Sequence, residues 1–368
     1  MTKRKSTAPN IVKAKQSLRV GFLPENDCAP IVVAHEFGLY KKYGLDVEIR
    51  SEPSWKRAND KLIQGDLDAA QVPGMLPFLI GLGLIPETQE CVTGLVLNLQ
   101  GNAITVSREL WCLGVRDAAS LREQMWEDRN KKAYTFGVSC PLSSQYVLLC
   151  QWLKSAGAPP STTVRIESVP PEQMFPLLKL GYLDGFCTGE PWTSVAVQAG
   201  IGACITTSAL LAPLHPEKIL MVRKDFAEKR DAEHERLVAA LLEACFLCDQ
   251  PENRGVLCEL LAQPQFVNAP VECLQPDLVG PFGPEGSHTH SLHGLNIFHR
   301  CRANEPTASK VSWLTGRLFE FLRWRTRPPA FNRAFRADIF RRARTLLPED
   351  LRTSLESAET SKQARSSA

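Results

Sequence analysis

The sequence predicts an α/β protein built as two lobes, on three observations. Short apolar runs alternate with helix-patterned stretches, the signature of a largely parallel sheet with crossover helices. The alternation breaks at a charged stretch, residues 127–132 (EDRNKK), and then restarts as a second lobe would. Polar or aromatic residues recur just past the strand ends, where ligands of open α/β sheets bind.

Residues 18–23 (LRVGFL) form an apolar run that ends in the polar turn Pro24-Glu25-Asn26-Asp27, a first strand and its loop. Pro30 opens a helix through PIVVAHEFGLYKKYG, closed by Gly44 with lysines in its last turn. Residues 46–50 (DVEIR) alternate as a strand does, 56–63 are helical, and 67–72 (LDAAQV) return as a strand. After the charged break come a strand at 134–138, a helix at 144–156, a strand at 164–169, a helix from Pro171 and a strand at 185–187. Pro191 then stands where a helix begins. Helical patterning follows at 232–249, 253–261, 309–324 and 333–347. The expected division is a flexible N-terminus (1–17), a discontinuous first lobe (18–105 and 205–300), a second lobe (106–204), C-terminal helices (301–355) and a disordered tail (356–368).

Composition excludes several classes. The net charge of +3 is too small for a nucleic-acid surface, and no apolar stretch approaches the ~20 residues of a membrane span. The first seventeen residues are polar and basic without an apolar core segment, and twelve cysteines are scattered through apolar contexts. Together these predict a chain kept in reducing cytoplasm.

Catalytic machinery is missing from the obvious places: there is no GxSxG, no P-loop, and no GxGxxG after a strand. Cys245 and Cys248 form a CxxC on a helix without a second pair, which suits a buried face better than zinc. His288, His290, His293 and His299 crowd a glycine-rich loop with no acid or cysteine pattern, and Asp66 and Asp68 read as a turn. The strand-end residues are more informative. Trp55 follows the second strand, residues 98–104 (NLQGNAI) hold a glycine between amides, and Ser143, Ser144 and Gln145 open a helix. Gly189 precedes Glu190-Pro191-Trp192, and Lys218 sits in HPEKIL. If they converge, they make a pocket with an indole, several uncharged donors and one ammonium. A tight turn around a buried tryptophan is the plainer reading of LDGFCTGEPW.

The ordered segments VGFLPENDCAPIVVAHEFGLYKKYGLDVEI, SWKRANDKLIQGDLDAA, LNLQGNAITV, VPPEQM, GYLDGFCTGEPW and HPEKIL resemble the nitrate-binding family of ABC-transporter substrate-binding proteins. The resemblance runs from about residue 18 to 347. It implies a bilobed, type II periplasmic-binding-protein-like fold with nitrate or nitrite in the cleft. By motif it sets the family's indole at Trp55, its amide at Asn102, its backbone contact at Gly189 and its ammonium at Lys218. Gln145 stands where members usually carry histidine, and Asn102 where glutamine is more usual. Lys218 argues against bicarbonate, because the bicarbonate binders look acidic and calcium-linked at that position. Nitrate suits such a pocket: one cation balances its charge, donors hold its oxygens and an aromatic wall excludes water.

Lacking a leader, the chain looks most like the family's cytoplasmic, NasS-like branch of nitrate/nitrite sensors. The implied partner is an ANTAR-type, RNA-binding antiterminator of the NasT kind. No catalysis, cofactor, direct nucleic-acid binding or membrane contact is expected. Two other readings stand beside this one: the solute-binding component of a nitrate/nitrite ABC transporter, and a thiamine-pyrimidine-synthase-like enzyme of the same fold. The enzyme would need a cofactor lysine with a histidine donor, and no such motif is found.

Overall fold

The strands of the computed structural model are β1 (Leu18–Phe22), β2 (Val47–Ser51), β3 (Ala69–Pro73), β4 (Cys91–Val96), β5 (Asn102–Ser107), β6 (Tyr134–Val138), β7 (Val164–Ser168), β8 (Gly185–Gly189), β9 (Gly202–Thr207) and β10 (Lys218–Arg223). The structure describes residues 17–353 apart from 86–88, 129–131, 142, 158–163, 286–293 and 323–332. The strands form two five-stranded sheets, β2-β1-β3-β10-β4 and β7-β6-β8-β5-β9. Each sheet is the core of one lobe, as the alternating pattern predicted.

Central strands such as β3 (AAQVP) and β8 (GFCTG) are buried along their whole length, since helices cover both faces. The outer strands β2 (VEIRS) and β7 (VRIES) expose charged residues, which discourages pairing with another chain. One strand in each sheet runs against the others: β10 pairs antiparallel with β3 and β4, and β5 with β8 and β9. Both reversed strands enter from the opposite lobe, and reversal puts their first residues, Lys218 and Asn102, at the edge where the parallel strands end.

The chain passes between the sheets at residues 97–101 and 208–217. The two passages are bonded together, with Gln100 N donating to His215 O (3.1 Å) and Glu217 N to Asn98 O (3.1 Å). Gly101 lies there at φ 95°, and a Cβ would meet the Asn296 amide at 2.4 Å, so the position demands glycine. These passages differ from the expected boundaries. β5 and β9 both belong to the second sheet, although residues 102–105 and 205–207 were expected in the first lobe. Phe282 and Leu295 also pack on Ala103 and Cys204 of the second lobe. A run read without its pairing partner does not declare which sheet it joins, because pairing is a long-range property.

Helix Asp231–Asp249, with 11 of its 19 residues buried, packs with helix Ala29–Glu36 in the first-lobe core. Helix Ala337–Arg344 joins it, with Ile339 against Gly94. The N-terminus before residue 17, the tail after 353 and His288, His290 and His293 lie outside the described residues. No helix among the described residues is long and apolar enough to cross a membrane.

Candidate functional site

The carboxyl ends of the parallel strands in the two sheets face each other, and the five residues singled out from the sequence meet there. Trp55 opens helix Trp55–Gln64, whose Ser54 side chain accepts from Arg57 N as a cap. Gln145 lies in the first turn of helix Ser144–Ser155, capped by Ser143 through Tyr146 N. Gly189 ends β8, opposite Asn102 at the start of β5. Trp55, Asn102, Gln145 and Lys218 are all at most 2% exposed, so the lobes close over them.

Lys218 Nζ lies 5.1 Å from the centroid of the Trp55 ring, a cation–π contact. It is also ringed by carboxylates: Asp27 Oδ2 at 2.8 Å, Glu217 Oε1 at 2.9 Å and Glu25 Oε2 at 3.4 Å. Glu217 Oε2 accepts from Ser144 Oγ, and Asp27 Oδ1 from Gln71 Nε2 at 2.6 Å. Lysine is thus not a lone cation awaiting an anion; the chain supplies three acids to it. Burial pushes the Asp27 carboxyl up to about 7, Lys218 pulling it down and Glu25 and Glu217 adding to the rise. Burial opposes the charged forms of Glu217 and Lys218 as well. The Lys218 charge nevertheless holds Glu217 below its usual range, and the three acids hold Lys218 well above its own.

The second lobe offers uncharged donors, and Glu25 takes them. Its Oε1 accepts from Thr188 Oγ1 (3.1 Å), Gly189 N (3.1 Å) and Gln145 Nε2 (3.4 Å). Gln145 Nε2 also reaches Asn102 Oδ1 at 3.0 Å, and its Oε1 accepts from Ser139. Asn102 Nδ2 and Glu25 Oε2 are buried without hydrogen-bond partners. A Cβ on Gly189 would lie 2.8 Å from Glu25 Oε1, so here glycine makes room for an oxygen.

The sequence reading missed Glu25, Asp27, Glu217 and Ser139. Glu25 and Asp27 had been read as a polar turn, although the strand-end rule that found Trp55 applies equally to them. The helix after Pro191 begins at Trp192, as that proline suggests. Glu190 Oε2 accepts from Ser194 N and Oγ (3.1 and 2.6 Å), so one backbone donor of the first turn of helix Trp192–Gln198 is taken within the chain. Trp192 does more than pack: its Nε1 donates to Pro24 O of the first lobe at 3.2 Å.

The other motifs stay apart from the site. Cys245 and Cys248 are buried on one helix, Cys245 Sγ reaching Leu97 O, and all twelve cysteines are free thiols. His299 Nδ1 lies 2.8 Å from Asn304 Oδ1. Asp68 accepts from Arg19 N and Nε. Among the described residues no group of three or more His, Cys, Asp or Glu is arranged to hold a metal ion.

The NMT1-like family matches residues 13–262. The chain is 36% identical over 313 residues to the nitrate import ATP-binding protein NrtC of Synechocystis sp., covering 84% of this chain and 46% of NrtC. It thus spans about half the length of that relative. It is 30% identical to the bicarbonate-binding protein CmpA of Synechococcus elongatus, covering 88% of this chain and 73% of CmpA. The crystal structure of the periplasmic nitrate-binding protein NrtA from Synechocystis superimposes with a TM-score of 0.84 at 26% identity, covering 91% and 90% of the two chains.

These likenesses correct the expected function and location. The fold matches a periplasmic binding protein along nine-tenths of both chains, which overturns the cytoplasmic sensor. The antiterminator partner was an implication of that branch, and none of these likenesses supports it. The fold is the bilobed, type II solute-binding fold. The chain belongs to the NMT1-like family, and at the family level it matches the nitrate/nitrite-binding proteins and their ABC-transporter relatives.

Proposed function

We propose that this chain is the solute-binding component of an ABC importer for nitrate or nitrite, acting outside the cytoplasm. One observation carries the reading. Gln145 Nε2, Thr188 Oγ1, Gly189 N and Lys218 Nζ converge on a planar oxyanion, the carboxylate of Glu25, beside the Trp55 indole. A carboxylate and nitrate share flat geometry and acceptor-only oxygens, so donors that hold one suit the other. Asn102 adds an unpartnered Nδ2 to the same wall. The names of the relatives NrtC and NrtA point to nitrate, and that of CmpA to bicarbonate. Bicarbonate carries a hydroxyl donor, which these four donors do not match. Titration calorimetry with nitrate, nitrite and bicarbonate tests the reading. Tightest binding of nitrate or nitrite is expected; tightest binding of bicarbonate moves the solute class, and silence toward all three removes the reading.

A further inference from the structure

Glu25 belongs to the first lobe, one turn beyond β1, yet its Oε1 is held by three donors of the second lobe. Its side chain is fully buried, and its Oε2 faces Lys218 at 3.4 Å. The room for it is made by Gly189, where any Cβ would press on Oε1. A carboxylate so placed satisfies the donors an incoming oxyanion needs. It also leaves Lys218 already balanced, since Asp27 and Glu217 lie within 2.9 Å of the same ammonium. A further anion in this position would meet three acids against one cation, and the Coulomb cost of that in a buried site is steep.

Building on the proposed anion-binding reading, we propose that Glu25 is an internal ligand of the site: its carboxylate takes the seat of the solute's oxygens, and an external anion binds only by displacing it. The side chain hangs from the loop Pro24-Glu25 that follows β1, outside the strands of both sheets. Displacement is then a competition between a tethered carboxylate and a free anion for one donor set. The apparent affinity for the free anion is reduced by the fraction of molecules in which Glu25 holds the seat. Glu25 thereby sets the concentration at which the protein fills, and sets it against weakly held anions.

Three variants test this by calorimetry with nitrate and with acetate, which reproduces the end of the missing side chain. Glu25→Ala empties the seat and is expected to bind nitrate at least about tenfold more tightly than the parent, the worth of one charge-assisted bond. It is also expected to gain acetate binding that the parent lacks. Glu25→Gln keeps the shape and lowers the charge, so its nitrate affinity falls between the two; it carries the comparison by itself if the alanine variant does not fold. Asp27→Asn removes the carboxyl nearest Lys218, at 2.8 Å, without touching the donors of the second lobe, and its gain is expected to be smaller than that of either Glu25 variant. Parent binding with no gain in folded Glu25 variants overturns the internal-ligand proposal and leaves the anion reading standing. An equal gain in Asp27→Asn also overturns it, since field rather than occupancy is then responsible. Failure of every variant to bind nitrate or acetate overturns both.

Discussion

The indole Nε1 of Trp55, in the first lobe, donates to Ser139 Oγ of the second at 3.0 Å. Both partners are buried, and Trp55 packs on Leu23 and Ala58 of its own lobe. One side chain therefore serves as aromatic wall beside Lys218 and as a bond between the lobes.

Trp55→Phe keeps the wall and deletes the bond. The expected loss is about 1 kcal/mol of stability, a fall in melting temperature of roughly 2 °C or a little more for a chain of this size. Differential scanning calorimetry reads it. Trp55→Ala, by contrast, empties a fully buried indole position and is expected to cost about 3–5 kcal/mol.

Lys218→Met leaves three buried carboxylates facing one another. Breaking a buried ion pair from one side costs about 3–5 kcal/mol, so this variant is expected to lose stability before any question of affinity arises. Adding Asp27→Asn to it is expected to recover part of the loss, measured by urea unfolding. Equal stability of the single and double variants would mean that Lys218 does not balance Asp27.

Stability is expected to depend on pH through Asp27. Its folded carboxyl is raised by burial to about 7 from the ordinary 3.8, so between those values the folded state binds the proton and the unfolded chain does not. Its contribution is greatest below about 3.8 and is lost as pH rises toward 7. Glu190, raised by burial and by Asp277 to about 8, acts in the same direction. Glu217, held below its usual range, acts oppositely at low pH. Urea unfolding at pH 5 and pH 8 is expected to show a smaller difference in Asp27→Asn than in the parent.

Gly189→Ala brings a Cβ to 2.8 Å from Glu25 Oε1. The clash is expected to cost about 1–3 kcal/mol in the parent and much less in Glu25→Ala, where the carboxylate is gone. A double-mutant cycle on thermal unfolding gives the coupling between the two positions.

The lobes and their strands were legible because apolar runs and proline or glycine punctuation are local. The runs that became β1, β3, β6 and β8 announce themselves within five or six residues. The edge of the site was legible by the same rule, and Trp55, Asn102, Gln145, Gly189 and Lys218 do stand together. What the sequence hid was the company they keep. Glu25 looks like any turn acid until β1 and β8 are brought face to face, and Glu217 looks like a neighbour of Lys218 in the chain rather than its partner in space. The assignment of β5 and β9 was hidden for a related reason. Which sheet a strand joins depends on residues far away in sequence, and the reversed direction of β5 and β10 leaves no local mark.

That reversal has a mechanical meaning. Asn102 begins β5 directly after one passage between the lobes, and Lys218 begins β10 directly after the other. If the lobes rock, these passages are the pivot, and residues beside a pivot have almost no lever arm. Lys218 and Asn102 therefore travel little, and Glu25 and Trp55, held at 3.4 Å and 5.1 Å from the Lys218 ammonium in the same lobe, move with it against Ser139 and Gly189 on the other. Such rocking breaks the Trp55–Ser139 and Gly189–Glu25 bonds, both of which cross between the lobes, and leaves the Glu25–Lys218 contact whole.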